Sequence, residues 1–408
     1  MAPLNLLDSA EKIGNDLLRK AQSLPDGSMT WGHDTDHLRR PVVDSGLFNG
    51  RCGQAVALAL LYHATRRQKF RDHSLRALGG ILQGLERNAF GAATERLSLG
   101  LAGLGGMIYA LVYIAQILEE DDLLYAAAQL SEFLTPRRIA SDQELDVLLG
   151  SAGALLSQLA LAKATARSPG VDARQAMTRA EGCAQHLLTH RSTDPETGLP
   201  VWATLQGERW TGFSHGAAGI AHALLRYCDR TGDQTCYQAG LDAFAFERSL
   251  FSKNLGNWLQ TRRASDEEPR FWSWCHGAPG IALSRLKSLG GLKAEDQGPV
   301  VQDLLEALHA TAHIQRTNID TLCCGYFGRI DILLEAGCCL DNPSLIRQAE
   351  RLTGLCLERA ESHSFEIGRV FTRPGQTDRG LFQGLSGIAY SMLRLGAPES
   401  FPCVLSLD

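Results

Sequence analysis

Trp210-Thr-Gly-Phe-Ser-His-Gly-Ala-Ala-Gly219 runs directly into Ile220-Ala-His-Ala-Leu-Leu-Arg-Tyr227, an apolar helical stretch opened by two glycines three residues apart. Working outward, the same Gly-x-x-Gly unit before an apolar run recurs at Gly50 and Gly53, Gly100 and Gly103, Gly150 and Gly153, Gly277 and Gly280, Gly325 and Gly328, and Gly384 and Gly387. One such pair is weak evidence in a chain with 41 glycines, but seven, at intervals of 50, 50, 66, 61, 48 and 59 residues, mark tandem structural units. Small-residue helices are expected after the pairs, at 55–62, 107–116, 154–162 and 220–227. More amphipathic helices are expected between them, at 126–134, 173–188 and 300–312. Strand-like alternation is scarce, so each unit reads as a helical pair and the fold class as all-α.

Small residues at a helix start let backbones approach closely, so the glycine-led helices should crowd around a common centre with the amphipathic ones outside. The expected architecture is an α/α toroid of seven helical hairpins, a single domain spanning 1–408. A linear solenoid is the alternative, but it needs polar-faced end repeats, and the last unit, 384–395, is as apolar as any other. Length alone, at about 150 residues per domain, would suggest two or three domains; units of about 58 residues instead make the 408 residues one ring.

Composition narrows the function. The chain is 44% hydrophobic and 21% charged, with a net charge of −5 and no strongly basic block, which argues against nucleic acid and anionic membranes as partners. No stretch reaches the roughly 18–20 uncharged apolar residues of a membrane span; the nearest, 97–118, is interrupted by Gln116 and several glycines. Residues 1–21 lack the cationic start of a signal peptide and place Leu4, Leu7, Ala10, Ile13, Leu17 and Ala21 at helical spacing. A soluble cytoplasmic protein is expected. Eleven cysteines, an odd number without a secretory signal, read as reduced thiols or metal ligands rather than a disulfide framework.

If the glycine-led helices form the inner ring, the residues before each first glycine gather at one end of it. In repeat order these are Phe48 and Asn49, Ser98 and Leu99, Leu148 and Leu149, Ser214 and His215, Cys275 and His276, Cys323 and Cys324, and Phe382 and Gln383. Repeats two and three are largely apolar there, whereas four to six carry two His and three Cys. Cys275, Cys323 and Cys324 thus occupy equivalent spots on neighbouring repeats, where helix N-termini favour thiolates. Three thiolates suit a tetrahedral soft metal with a fourth position open, and zinc fits best. The plainer reading is that they are small buried hydrophobes, and it stands for Cys338, Cys339 and Cys356 on later helices. His215 could ligate metal, act as an acid or base, or simply pack. Asp146, four residues before Gly150, could orient that imidazole or serve as a helix cap. His276 could line the cavity or donate a hydrogen bond beside the metal; Asn49 and Gln383 read as polar fillers of its mouth.

Trp274-Cys-His-Gly-Ala-Pro-Gly280, Cys323-Cys-Gly325, Ser214-His-Gly-Ala-Ala-Gly219 and Leu381-Phe-Gln-Gly-Leu-Ser-Gly-Ile-Ala-Tyr390 resemble, in that combination, the lanthionine synthetase C-like cyclases. The resemblance implies a zinc-bearing α/α toroid that closes thioether rings in ribosomal peptides. It carries zinc ligation to Cys275, Cys323 and Cys324, the active-site His to His215 and its acidic partner to Asp146. Most members use Cys, Cys and His. The Cys-Cys-Gly here is similar to the three-cysteine subgroup among the C-terminal cyclase domains of class II bifunctional lanthipeptide synthetases. Two positions depart from the pattern. The family's cavity Arg meets Phe271, with Arg270 beside it, and the Tyr often found after the first ligand Cys is His276.

The implied reaction adds a peptide Cys thiolate to dehydroalanine or dehydrobutyrine in a dehydrated precursor made of a leader and a Cys/Ser/Thr-rich core. His215 is the leading general acid. The length leaves no room for a dehydratase region beside the ring, so such a domain is expected in the same longer protein or in a partner chain. Two other classes remain. A glycan-processing α/α toroid needs paired cavity carboxylates, where this sequence offers Cys and His. A non-catalytic zinc protein that captures a small thiol such as glutathione would use the same ligands.

Overall fold

The computed structural model describes residues 5–31, 45–87, 89–90, 94–166, 171–263, 272–313, 319–367 and 379–408. Its inner helices are α2 (Arg51–Thr65), α4 (Leu104–Leu118), α7 (Ser151–Thr165), α9 (Ala217–Thr231), α11 (Ala278–Ser288), α13 (Tyr326–Cys339) and α15 (Leu385–Gly396). Each packs on the next, and α15 packs on α2, so the ring is closed. Around it lie α3 (Gln68–Glu86), α5 (Asp122–Ser131) followed by the short α6 (Pro136–Ala140), α8 (Ala173–Thr189), α10 (Gln234–Arg248), α12 (Ala294–Ala312) and α14 (Pro343–His363), each paired with the inner helix before it. The α/α toroid is the observed fold.

Patterning explains the two layers. In α4 every residue except Gln116 is buried, as a helix must be when neighbours cover it on all sides. In α8 the buried set is Ala176, Ala180, Cys183, Ala184, His186 and Leu187, a single stripe with polar residues opposite. Three short antiparallel hairpins return the chain to the inner ring: β1–β2 (Gln22–Ser23, Met29–Thr30) after α1 (Leu6–Lys20), β3–β4 (Ser192–Thr193, Pro200–Val201) after α8, and β5–β6 (Phe251–Ser252, Asn257–Trp258) after α10.

Some features differ from what the sequence implies. The amphipathic segment expected over 1–21 is α1, with residues 1–4 outside the described part. It packs mainly against α15, burying Ala10, Ile13, Gly14 and Leu17. α1 thus takes the place of an outer helix beside α15. In the second repeat the helix starts after Gly103 rather than Gly100. There Leu101 and Ala102 give their N–H groups to the carbonyls of Val147 and Leu148 (3.0 and 2.9 Å), which delays the first helical turn. The segment expected at 126–134 is helical only to Ser131.

Residues 397–408 do not hang free. Their carbonyls accept from Tyr113 (Pro402 O, 3.1 Å), Trp274 (Leu405 O, 3.0 Å) and His222 (Ser406 O, 3.0 Å), on three different inner elements. Val404, Leu405 and Ser406 are fully buried. The segment packs among the inner elements and holds Trp274, the neighbour of Cys275, through the Leu405 carbonyl. Among the described residues no helix is long and apolar enough to cross a membrane.

The second glycine of a pair is where backbone meets backbone. A Cβ on Gly153 would fall 2.0 Å from Val147 O and 2.9 Å from Gly100 Cα, whereas one on Gly182, within α8, would meet only Ile139 Cδ1 at 3.6 Å. Gly153→Ala should therefore cost about 1–3 kcal/mol or more through overpacking, while Gly182→Ala should gain about 0.5–1 kcal/mol from helix propensity. Denaturant melts of the two variants check the opposite signs.

Candidate metal centre

The turns before the inner helices hydrogen-bond to one another around one rim. Leu101 N–H donates to Val147 O (3.0 Å), Val147 to Ser214 O (3.1 Å), Phe213 to Trp274 O (3.3 Å), Cys323 to Phe382 O (2.8 Å) and Phe382 to Phe48 O (2.9 Å). This belt brings the pre-glycine residues into one register. Between the fifth and sixth turns the thiols themselves meet: Cys275 Sγ lies 3.5 Å from Cys324 Sγ, and Cys324 Sγ lies 3.3 Å from Cys323 Sγ. All three sulfurs fall within 4.8 Å of one another, and Ser273 Oγ sits 3.1 Å from Cys275 Sγ. Two glycines permit this turn. Gly277 has φ +95° and Gly212 φ +96°, and a Cβ on Gly212 would lie 2.5 Å from Cys275 O.

The helix N-termini beneath the site are capped from elsewhere in the chain, since the N-cap residues are glycines with no side chain to offer. Asp142 Oδ2 accepts from Ser151 N (2.7 Å) and Leu145 N (3.2 Å), holding Leu145 at φ +62° just before Asp146. Glu247 Oε1, fully buried on α10, accepts from Gly212 N (2.9 Å) and Ala218 N (3.0 Å) on either side of His215. Its other oxygen pairs with buried Arg285 at 2.7 Å, and Arg285 and Arg248 share Asp303. Asn257 Oδ1 accepts from Ala278 N (3.0 Å). None of these carboxylates or amides lies in the repeated motif; only tertiary structure brings them to it.

The donor set suits a soft divalent metal. Cys275 is held well below the usual thiol range by hydrogen bonds from Cys323 and Cys324, while those two are pushed well up. One thiolate is stabilised by its neighbours, and a second or third is opposed by like charge and burial unless a cation is present. Beside the thiols, His276 is stacked on His215 with ring centroids 5.8 Å apart and packs against Trp210 at 4.9 Å. Burial lowers the His276 pKa, although the Cys275 charge opposes it. Burial also works against charge on His215, but the Asp146 hydrogen bond and charge outweigh it, and its pKa is raised. Asp146 Oδ2 meets His215 Nδ1 at 2.7 Å while Oδ1 accepts from Leu149 N at 2.6 Å, so this one carboxylate both orients the imidazole and caps the turn.

A model of the family described as lanthionine synthetase C-like protein matches residues 41–406. The chain belongs to that family. A solved structure named nisin cyclase aligns with a TM-score of 0.71 at 16% identity, over 99% of this chain and 97% of that one, which establishes the shared fold. A sugar epimerase from a ruminal bacterium (TM-score 0.49, 9% identity, 74% of this chain and 90% of that one) is a more distant likeness. So is an unsaturated glucuronyl hydrolase from Bacillus sp. GL1 (0.47, 13%, 74% and 82%). Similarity at that level says nothing about chemistry.

Within this lanthionine synthetase C-like chain, Cys275, Cys323, Cys324, His215 and Asp146 converge, and His276 joins them. Asn49 and Gln383 bond to each other at 2.7 Å farther along the same rim. Arg270 and Phe271 lie outside the described residues. Cys356 is buried away from the cluster, and Cys338 and Cys339 are exposed. The His215–Asp146 pair sets a pH signature. With its folded-state pKa raised, His215 contributes stability that is full below its unfolded value of about 6.5 and is lost as pH rises through the folded value. In Asp146→Asn the largest upward influence is removed while burial remains, and His215 should titrate lower than in the wild type. NMR titration of the assigned imidazole in both proteins checks the lowering.

Proposed function

We propose that the protein is a zinc-dependent lanthipeptide cyclase that adds cysteine thiols of a dehydrated ribosomal peptide to its dehydroalanine and dehydrobutyrine residues, forming lanthionine and methyllanthionine thioethers. The observation that carries this reading is the cluster of three buried thiols beside a carboxylate-bound imidazole, in a chain whose family is that of the lanthionine synthetase C-like proteins. Cys275, Cys323 and Cys324 would hold the zinc, as in the three-cysteine cyclase domains of class II synthetases. Zinc so held would supply a Lewis acid that makes a substrate thiol nucleophilic at neutral pH. The reading takes 1–408 as one cyclase domain working in the cytoplasm, with a dehydratase in the same longer protein or in a partner chain.

The chain's own residues would carry the protons. Asp146 accepts from Nδ1 of His215, so Nε2 is the atom that faces outward with a proton to give. The raised pKa favours the doubly protonated ring, the form in which Nε2 as well as Nδ1 carries a proton. As the substrate sulfur bonds to the β-carbon, the C=C electrons move toward the carbonyl, and His215 delivers its proton to the α-carbon. The thiol has lost one proton and the α-carbon gained one, so the addition is redox-neutral. His276, kept neutral by burial, walls the site without competing as an acid.

Zinc-loaded protein should convert a dehydrated peptide with free cysteines to thioether product, read by loss of thiol reactivity at unchanged mass. Product formation at the uncatalysed rate, even with small thiols bound, contradicts the proposal. Cys323→Ala should lower zinc from one per chain to a small fraction, read by elemental analysis after dialysis against a weak chelator. Stoichiometric retention rejects the ligand set.

A further inference from the structure

The residues immediately before the first glycines form a ring of their own along the rim: Asn49, Leu99, Leu149, His215, His276, Cys324 and Gln383. Its polar members are consecutive through the ring closure, from His215 to Asn49. The belt bonds from Cys323 to Phe382 and from Phe382 to Phe48 hold the sixth, seventh and first turns together. Gln383 and Asn49 therefore follow Cys324 on one flank as His276 and His215 precede it on the other. Phe382, beneath Gln383, is stacked on Phe48 at 4.9 Å and packs against Trp274 at 5.0 Å, which gives this flank a firm aromatic base.

Asn49 Nδ2 donates to Gln383 Oε1 at 2.7 Å. That bond fixes both amide planes and settles which atoms remain. Gln383 keeps its Nε2, a donor, and Asn49 keeps its Oδ1, an acceptor. Gln383 is only 9% exposed, whereas Asn49 is exposed. A partly buried donor tied to an exposed acceptor is complementary to the C=O and N–H of a peptide backbone, whatever side chains the peptide carries. Neither amide bears a charge, so the pair offers no preference for acidic or basic peptides.

We propose that the Asn49–Gln383 pair is a peptide-backbone subsite that seats the dehydroamino acid, with Gln383 Nε2 donating to its carbonyl oxygen and Asn49 Oδ1 accepting a neighbouring substrate N–H. The inference rests on the cyclase reading above. As the S–Cβ bond forms, the C=C π pair moves to the carbonyl oxygen, and a proton arriving at Cα from the imidazole flank completes the addition. Negative charge grows on the oxygen that Gln383 contacts, so this hydrogen bond is stronger in the transition state than in the bound substrate. The Asn49 contact does not change during the reaction and serves binding.

The test uses the full zinc-loaded chain and a peptide with one dehydroalanine and one cysteine. Thioether formation, zinc content and melting temperature are measured for wild type, Gln383→Ala and Asn49→Ala. Affinity is measured by fluorescence anisotropy with an unreactive peptide in which serine replaces the cysteine. Gln383→Ala should retain zinc and melting temperature but lose about 10- to 100-fold in kcat with little change in affinity. Asn49→Ala should weaken affinity and raise KM by about 3- to 10-fold. If Gln383→Ala does not fold, Asn49→Ala, at an exposed position, decides by the same affinity readout. Wild-type kcat, KM and affinity in both variants overturn the subsite while leaving the cyclase reading intact. Absence of thioether formation in the wild type overturns the cyclase reading and the subsite with it.

Discussion

The structure depends on how closely each inner helix folds back against the turn that leads into it. Gly153, Gly219, Gly280, Gly328 and Gly387 all place a would-be Cβ within about 2 Å of a main-chain carbonyl oxygen, a contact no side chain tolerates. The N–H groups of five turns reach the carbonyls of the next, so backbone hydrogen bonds hold most of the rim, with thiol contacts between the fifth and sixth turns and aromatic packing among Phe48, Phe382 and Trp274. Seven equivalent turns in register follow. The chemistry of the rim is then decided by which residue precedes each glycine.

A rim built this way leaves helix N-termini buried without caps of their own. Asp142, Glu247 and Asn257 supply the acceptors from neighbouring segments. Glu247 brings with it a buried cation, Arg285, and through Asp303 a second, Arg248. Breaking a buried pair of this kind typically costs about 3–5 kcal/mol, so the His215 turn is anchored far more firmly than a surface loop. The thiol cluster lies at the junction of the fifth and sixth turns, where a bound metal would tie two repeats together. The segment 397–408 is hydrogen-bonded to Trp274, the residue before Cys275.

Much of this was legible because the repeat supplies a coordinate system. Cys275 lies 48 residues before the adjacent Cys323 and Cys324, yet their matching places just before a glycine pair predict that they meet. The same register finds His215. Asp146 lies outside the pre-glycine register, and spacing alone could not choose between cap and partner; its two oxygens serve both purposes. What the repeat does not encode could not be read. Glu247 and Arg285 look like ordinary charged helix residues until the fold pairs them, and the two backbone N–H groups that Glu247 also caps carry no sequence signature. The pairing of α1 with α15 and the burial of 397–408 depend on ring closure, which joins chain segments that sequence order separates most. The later start of α4 follows from hydrogen bonds to the third repeat, which no pattern within the second repeat contains.

The central claim is that three thiols hold one metal and leave a position for a substrate sulfur. X-ray absorption spectroscopy of the zinc-loaded protein tests it most directly, before and after addition of a cysteine-containing peptide. Three sulfur neighbours and one lighter atom are expected at rest, becoming four sulfurs with peptide bound. Four sulfur neighbours in the resting protein, or a coordination shell unchanged by the peptide, would contradict it.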